Sequence, residues 1–223
     1  MRYSASVSAL ALATAVLAQD QTIHVGNDGN GTKELMFTPS SVAASNGTVI
    51  TFVFDTPNTN HTVAQSTFAN PCEPIQNGFD SGYTPGPANA GDPPATWNLT
   101  ITDDTKSIWF YCAQQAAQPF HCTAGMVGAI NAPASPAPND FDAFVSAATG
   151  ASTIVQPTSA LTGVGAFASA APTIFVSTTA TDSASASDST SATDSSTDSG
   201  ASSPSSTTGS CGPVAAVFGV ALL

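Results

Sequence analysis

The run Ile108-Trp109-Phe110-Tyr111-Cys112 is followed, after eight residues, by His121-Cys122-Thr123-Ala124-Gly125-Met126. A thiol, an imidazole and a thioether thus fall within fifteen residues. With a second imidazole they form the soft donor set that suits one copper ion alternating between Cu(I) and Cu(II). The chain has three histidines. His61, in Asn60-His61-Thr62, is the candidate for that second imidazole. His24 lies in the alternating stretch Thr22-Ile23-His24-Val25, has no such company and is expected to face solvent. A lone methionine is more often packing than a ligand, and a lone histidine is more often a hydrogen-bonded turn residue. It is the four together, His61, Cys112, His121 and Met126, that point to a metal.

These residues need a scaffold, and the sequence around them reads as short strands between turns rich in Gly, Pro and Asn. Strands are expected at residues 21–25, 35–37, 48–54, 96–102, 107–111 and 125–131. The clearest alternation is Thr96-Trp97-Asn98-Leu99-Thr100-Ile101-Thr102, whose apolar members share one face. In the strand before Cys112, residues 108, 110 and 112 point the same way, so the thiol lies on the apolar face of Ile108 and Phe110. Residues 70–94 hold four Gly and six Pro and read as one long irregular excursion. About 110 residues of such strands without a helical period predict an all-β, antiparallel Greek-key sandwich. Residues 140–148 predict a short helix after it, capped by Asn139 or Asp140, with Phe141, Phe144 and Val145 as its apolar stripe.

The ends of the chain read as processing signals. Residues 1–18, with Arg2 and then an uncharged Ala/Val/Leu-rich run, are expected to be a secretion signal cleaved before Gln19. Residues 199–223 carry no charge; small residues at Gly200, Ala201 and Ser202 precede a polar spacer and an apolar tail. That order matches a glycosylphosphatidylinositol attachment signal, with Gly200 the expected attachment residue and Ser199 and Ser202 its alternatives. The tract before it is mostly Ser, Thr, Ala and Asp and has nothing to bury, so it is expected to be a disordered, O-glycosylated stalk. The expected organisation is a signal peptide at 1–18, a β domain at 19–133, a linker with the short helix at 134–176, a stalk at 177–200 and a removed propeptide at 201–223.

Fifteen acidic residues against three basic ones give a formal charge of −12. Nucleic acid is a poor partner, because Lys33 and Lys106 alone cannot build a basic patch. Sequons at Asn30, Asn46, Asn60 and Asn98 are candidate N-glycosylation sites, and a glycan on Asn60 would crowd His61. Of the four cysteines, Cys211 would leave with the propeptide. Cys72, Cys112 and Cys122 would remain, an odd number in an oxidising compartment. One disulfide and one metal thiolate would account for them as Cys72–Cys122 plus Cys112. Bridges Cys112–Cys122 and Cys72–Cys112, with no metal, stay open.

The segments Leu35-Met36-Phe37-Thr38-Pro39, Val49-Ile50-Thr51-Phe52-Val53-Phe54, Asn60-His61-Thr62-Val63 and the run from Ile108 to Met126 resemble fungal extracellular serine-rich cupredoxin-domain proteins. Those proteins are in turn similar to plant phytocyanins. The resemblance implies a Greek-key cupredoxin sandwich. It also implies one copper ion with His61, Cys112 and His121 as equatorial ligands and Met126 as the weak axial one. By the same resemblance Cys122 pairs with Cys72 and clamps the loop that holds His121. The eight residues between Cys112 and His121 exceed the phytocyanin spacing, so they must loop out if both ligands are to reach one ion.

The expected function is one-electron transfer by a monomeric blue-copper protein at the cell surface, held to the membrane only by a lipid anchor and serving an unidentified redox partner or copper donor. The same residues would also serve copper capture or buffering. A metal-free structural wall glycoprotein is the third reading. Enzyme classes fit poorly. No His-X-His pair of a multicopper oxidase is present. Gln19 stands where a lytic copper monooxygenase needs an N-terminal histidine. Glu34, Glu73 and the scattered aspartates lack the spacing of a glycosidase carboxylate pair.

Overall fold

The computed structural model describes residues 19–116 and 118–174. The expected signal, stalk and attachment segments, with Gly200 and Cys211, lie outside the described residues. Strand β1 is Gln21–Asn27, β2 Lys33–Thr38, β3 Ser41–Val42, β4 Val49–Phe54, β5 Asn60–His61, β6 Ala64–Ser66 and β7 Thr84–Pro85. These are followed by β8 Ala95–Ile101, β9 Ile108–Tyr111, β10 Val127–Ile130, helix α1 Phe141–Thr149, β11 Ala166–Ala168 and β12 Thr173–Ile174. Among the described residues, no helix is long and apolar enough to cross a membrane.

The first sheet runs β2-β1-β4-β8-β11, with β12 also on β8. The second runs β3-β10-β9-β6, and β5 and β7 make a separate small ladder. Alternation builds the core between the sheets: Ile50, Phe52 and Phe54 from β4 meet Trp97, Leu99 and Ile101 from β8 and Ile108 and Phe110 from β9. Phe110 stands edge-on to Phe37 and Phe52, with ring centroids 5.0 and 5.4 Å apart. Asn98 faces outward, as the alternation requires. The other residues of β9 are also buried. Trp109 and Tyr111 enter a second apolar cluster, on the outer face of the second sheet, with Val127, Ala129, Phe144 and Ala148. That sheet is therefore covered on both faces, and an all-buried strand is the result.

Two expectations need correction. The sheets are mixed: β1 runs parallel to β4, and β3 parallel to β10. Alternation is the same read in either direction, so it reveals that a segment is extended but not its sense. Nor do residues 134–174 behave as a linker. Asp140 caps α1 by accepting from the Ala143 amide at 2.9 Å. Phe144 then packs on Trp109 with centroids 4.5 Å apart. Farther on, β11 and β12 lie end to end along the free edge of β8, pairing Ala166 with Ile101 and Ile174 with Ala95. They cover backbone groups that an open edge would leave exposed. The domain boundary expected at 133 thus falls inside one packed unit.

Candidate metal centre

Cys112 follows β9 directly, on the Phe110 side, and is fully buried. Its amide donates to the Met126 carbonyl at 3.1 Å, which extends the β9–β10 pairing by one step. His61 is 1% exposed; β5 holds it by pairing with Thr84 of β7. Half-buried His121 arrives on the loop before β10. The three donor atoms converge. His121 Nδ1 lies 3.4 Å and His61 Nδ1 3.7 Å from Cys112 Sγ, and the two Nδ1 atoms are 3.1 Å apart. Separations of this size are those of ligands about 2.0–2.3 Å from a shared ion in N/S coordination. Met126 is fully buried in the same apolar cluster as Cys112, and its amide donates to the His121 carbonyl at 2.9 Å. All four candidate ligands are therefore brought to one end of the sandwich.

The environment keeps both imidazoles neutral, the form that ligates. Burial pushes His61 down to about 3, helped by His121 and Lys33. Burial, with Lys33, lowers His121 to about 4. Burial raises the Cys112 thiol to about 11. A bound cation would reverse that preference for the neutral thiol. The Thr62 amide already points at Cys112 Sγ, 3.4 Å away, and the Thr62 hydroxyl accepts from the Ala113 amide at 2.8 Å. Thr62 is a contributor that the sequence pattern did not single out. Gly26 is another. It has φ +88°, and a Cβ there would stand 2.4 Å from His61 Nε2. Only glycine lets the β1 backbone pass so close to the ring. That Nε2 is buried and has no hydrogen-bond partner among the described residues.

The long spacing between Cys112 and His121 is resolved by one backbone bond. The His121 amide donates to the Gln114 carbonyl at 3.2 Å. The ends of the excursion are pinched together, and Ala113 and Gln114 act as a short connection. Behind His121, Cys122 is bridged to Cys72 (S–S 2.04 Å), while Cys112 is a buried thiol in no disulfide among the described residues. Of the three pairings left open by the cysteine count, the structure has the one that spares Cys112.

His121 edges onto a concavity of about 350 Å³, lined by Lys33, Leu35, Asn60, His61 and Gln114. The asparagines of all four sequons, Asn30, Asn46, Asn60 and Asn98, are exposed, and Asn60 stands at this mouth. His24 stays apart from the centre. It is half-exposed and pairs with Asp55, Nδ1 to Oδ2 2.6 Å, rather than facing solvent alone.

No protein-family model matches the chain. It is 34% identical over 140 residues to the "Probable GPI-anchored cupredoxin-1" of the fungus Arthroderma benhamiae, a match covering 63% of this chain and 66% of that protein. Among solved structures it is similar to a mutant fern plastocyanin, with 17% identity over 49% of this chain and 96% of that chain, TM-score 0.31. It is also similar to a pseudoazurin from Sinorhizobium, with 18% identity over 50% of this chain and 72% of that chain, TM-score 0.29.

Proposed function

From the premise that this chain is a homologue of a fungal cupredoxin, we propose that it binds one copper ion through His61, Cys112, His121 and Met126 and passes single electrons. The observation that carries this reading is the convergence of two neutral imidazole Nδ1 atoms on one buried thiol, with all three donor atoms within 4.8 Å of one another. When bound, copper would supply the one-electron Cu(II)/Cu(I) couple. The chain contributes a soft donor set suited to both oxidation states. It also supplies a buried thiol with an amide aimed at it, and a strand for His61 with backbone bonds and a disulfide for the ligand loop that hold the donors before any ion arrives. Preorganisation of this kind keeps rearrangement small on electron exchange.

Loading with Cu(II) tests the assignment by visible absorption and electron paramagnetic resonance. An intense thiolate-to-copper band with narrow parallel hyperfine splitting is expected. A colourless Cu(II) protein would overturn it. Copper capture remains the second reading, because His121 opens on the concavity rather than being sealed from solvent. Reversible one-electron voltammetry favours transfer, whereas irreversible oxidation with very tight Cu(I) retention favours capture.

The setting follows the relative's name. The domain is displayed outside the cell on a glycosylphosphatidylinositol anchor at Gly200, with glycans on Asn30, Asn46 and Asn98, while a glycan on Asn60 would crowd the copper at His61. Release of the protein from intact cells by phosphatidylinositol-specific phospholipase C is the expected result. Retention after that treatment would remove the anchor from the proposal.

A further inference from the structure

The outer part of the ligand loop is also held by the segment after α1. Gln115 Nε2 donates to the Ile154 carbonyl at 3.0 Å, and Phe120 packs against the second apolar cluster, to which Ile154 belongs. Gln156 Nε2 donates to the carbonyl of Ala113, the residue after the thiol, at 2.7 Å. Tyr83 completes a closed set. Its hydroxyl donates to Gln156 Oε1 at 2.7 Å and lies 3.1 Å from the same Ala113 oxygen. The segment is itself tied down from both sides. The Tyr111 hydroxyl donates to the Val155 carbonyl at 2.7 Å, and the Val155 amide to the Cys72 carbonyl at 2.9 Å. Residues 151–156 therefore touch the neighbours of Cys112 on either side, the excursion before His121 and the disulfide behind it.

We propose that this segment braces the ligand loop and that Gln156 is its positioning residue. Ala113 and Gln114 are the short connection left when the excursion is pinched off, so the orientation of that connection sets where His121 begins. Its inner side is fixed by the Ala113 amide on Thr62, and its outer side by the Ala113 carbonyl on Gln156. Both polar ends of the Gln156 amide are spent here, while its side chain is exposed and adds little packing. An unbraced excursion of this length would sample many conformations, with a matching entropy cost at each return to the ligating one. The consequence for the metal rests on the copper reading above; the consequence for the loop does not.

The experiment uses the full chain with Gln156→Ala, Gln156→Glu and the pair Gln115→Ala/Gln156→Ala. Ser107→Ala serves as the control, since it removes one side-chain bond to the Asn131 carbonyl at the far end of β9 (2.8 Å). In the metal-free protein, exchange of the His121 amide with solvent deuterium is expected to quicken by about threefold in Gln156→Ala and about tenfold in the pair. Gln156→Glu, which keeps the acceptor for Tyr83 but loses the donor to Ala113, is expected to follow Gln156→Ala. After Cu(II) loading, the hyperfine splitting is expected to shift in these variants and not in Ser107→Ala. Wild-type exchange at His121 in the pair, or equal quickening in Ser107→Ala, overturns the brace. If the wild-type protein develops no thiolate band, the copper reading fails and the exchange rates alone decide the brace.

Discussion

His61 and His121 present the same atom to the same thiol, yet the chain secures them by different means. His61 is carried by strand pairing to β7 and is pressed against Gly26 of β1. His121 comes from a loop with no strand of its own. It is secured by a backbone bond to Gln114, by the disulfide at Cys122 and by contacts from residues 151–156. The difference teaches that a ligand on a sheet needs little beyond the ladder, whereas a ligand on a long loop needs cross-links from elsewhere in the chain.

The largest expected effect is at the point where the two arms meet. Cys112→Ser removes the only soft anionic donor, so the visible band is expected to vanish. An unchanged spectrum would show that the arms do not converge on a metal thiolate. Next, Cys72→Ala/Cys122→Ala should loosen only the His121 arm. Chemical denaturation is expected to show a loss of about 2–5 kcal/mol, with a copper band that persists but broadens. Loss at the His61 side instead would break the comparison. Gly26→Ala addresses that other side. A Cβ placed 2.4 Å from the His61 ring at φ +88° is expected to cost about 1–3 kcal/mol in stability. It should also weaken copper binding by about 10- to 100-fold, read by competition with a chelator. Met126→Gln, which changes only the side chain and leaves the backbone bonds of both arms in place, should have the smallest effect, a shift in band position and potential with copper retained. Loss of copper in that variant would make Met126 more than a weak axial donor.

Strand β8 was legible because seven alternating residues expose the period, while β9 showed only as a short apolar run, buried on both faces, in which Cys112 inherited its facing from Phe110. The strands of two or three residues were not. One of them, β5, carries a candidate ligand, but Asn60-His61 is too short to show any period. Phe141, Phe144 and Val145 marked α1 as a helix with an apolar face to cover, while nothing local named Trp109 as its cover. For the same reason residues 166–174 read as linker: three residues such as Ala166-Phe167-Ala168 become a strand only because β8 leaves an edge open beside them. Gly26 was visible only as a glycine, since its role depends on a ring that approaches from another part of the chain.

The sequence by itself determined the donor types, the face on which Cys112 lies and the number of residues between ligands, because covalent order and backbone alternation dictate these locally. The tertiary structure alone decided that His61 and His121, 60 residues apart, place Nδ1 atoms 3.1 Å from each other. It also decided that the excursion between Cys112 and His121 closes through Gln114 and leans on residues 151–156. Such through-space distances depend on how strands and a returning segment pack, and no one-dimensional spacing encodes them.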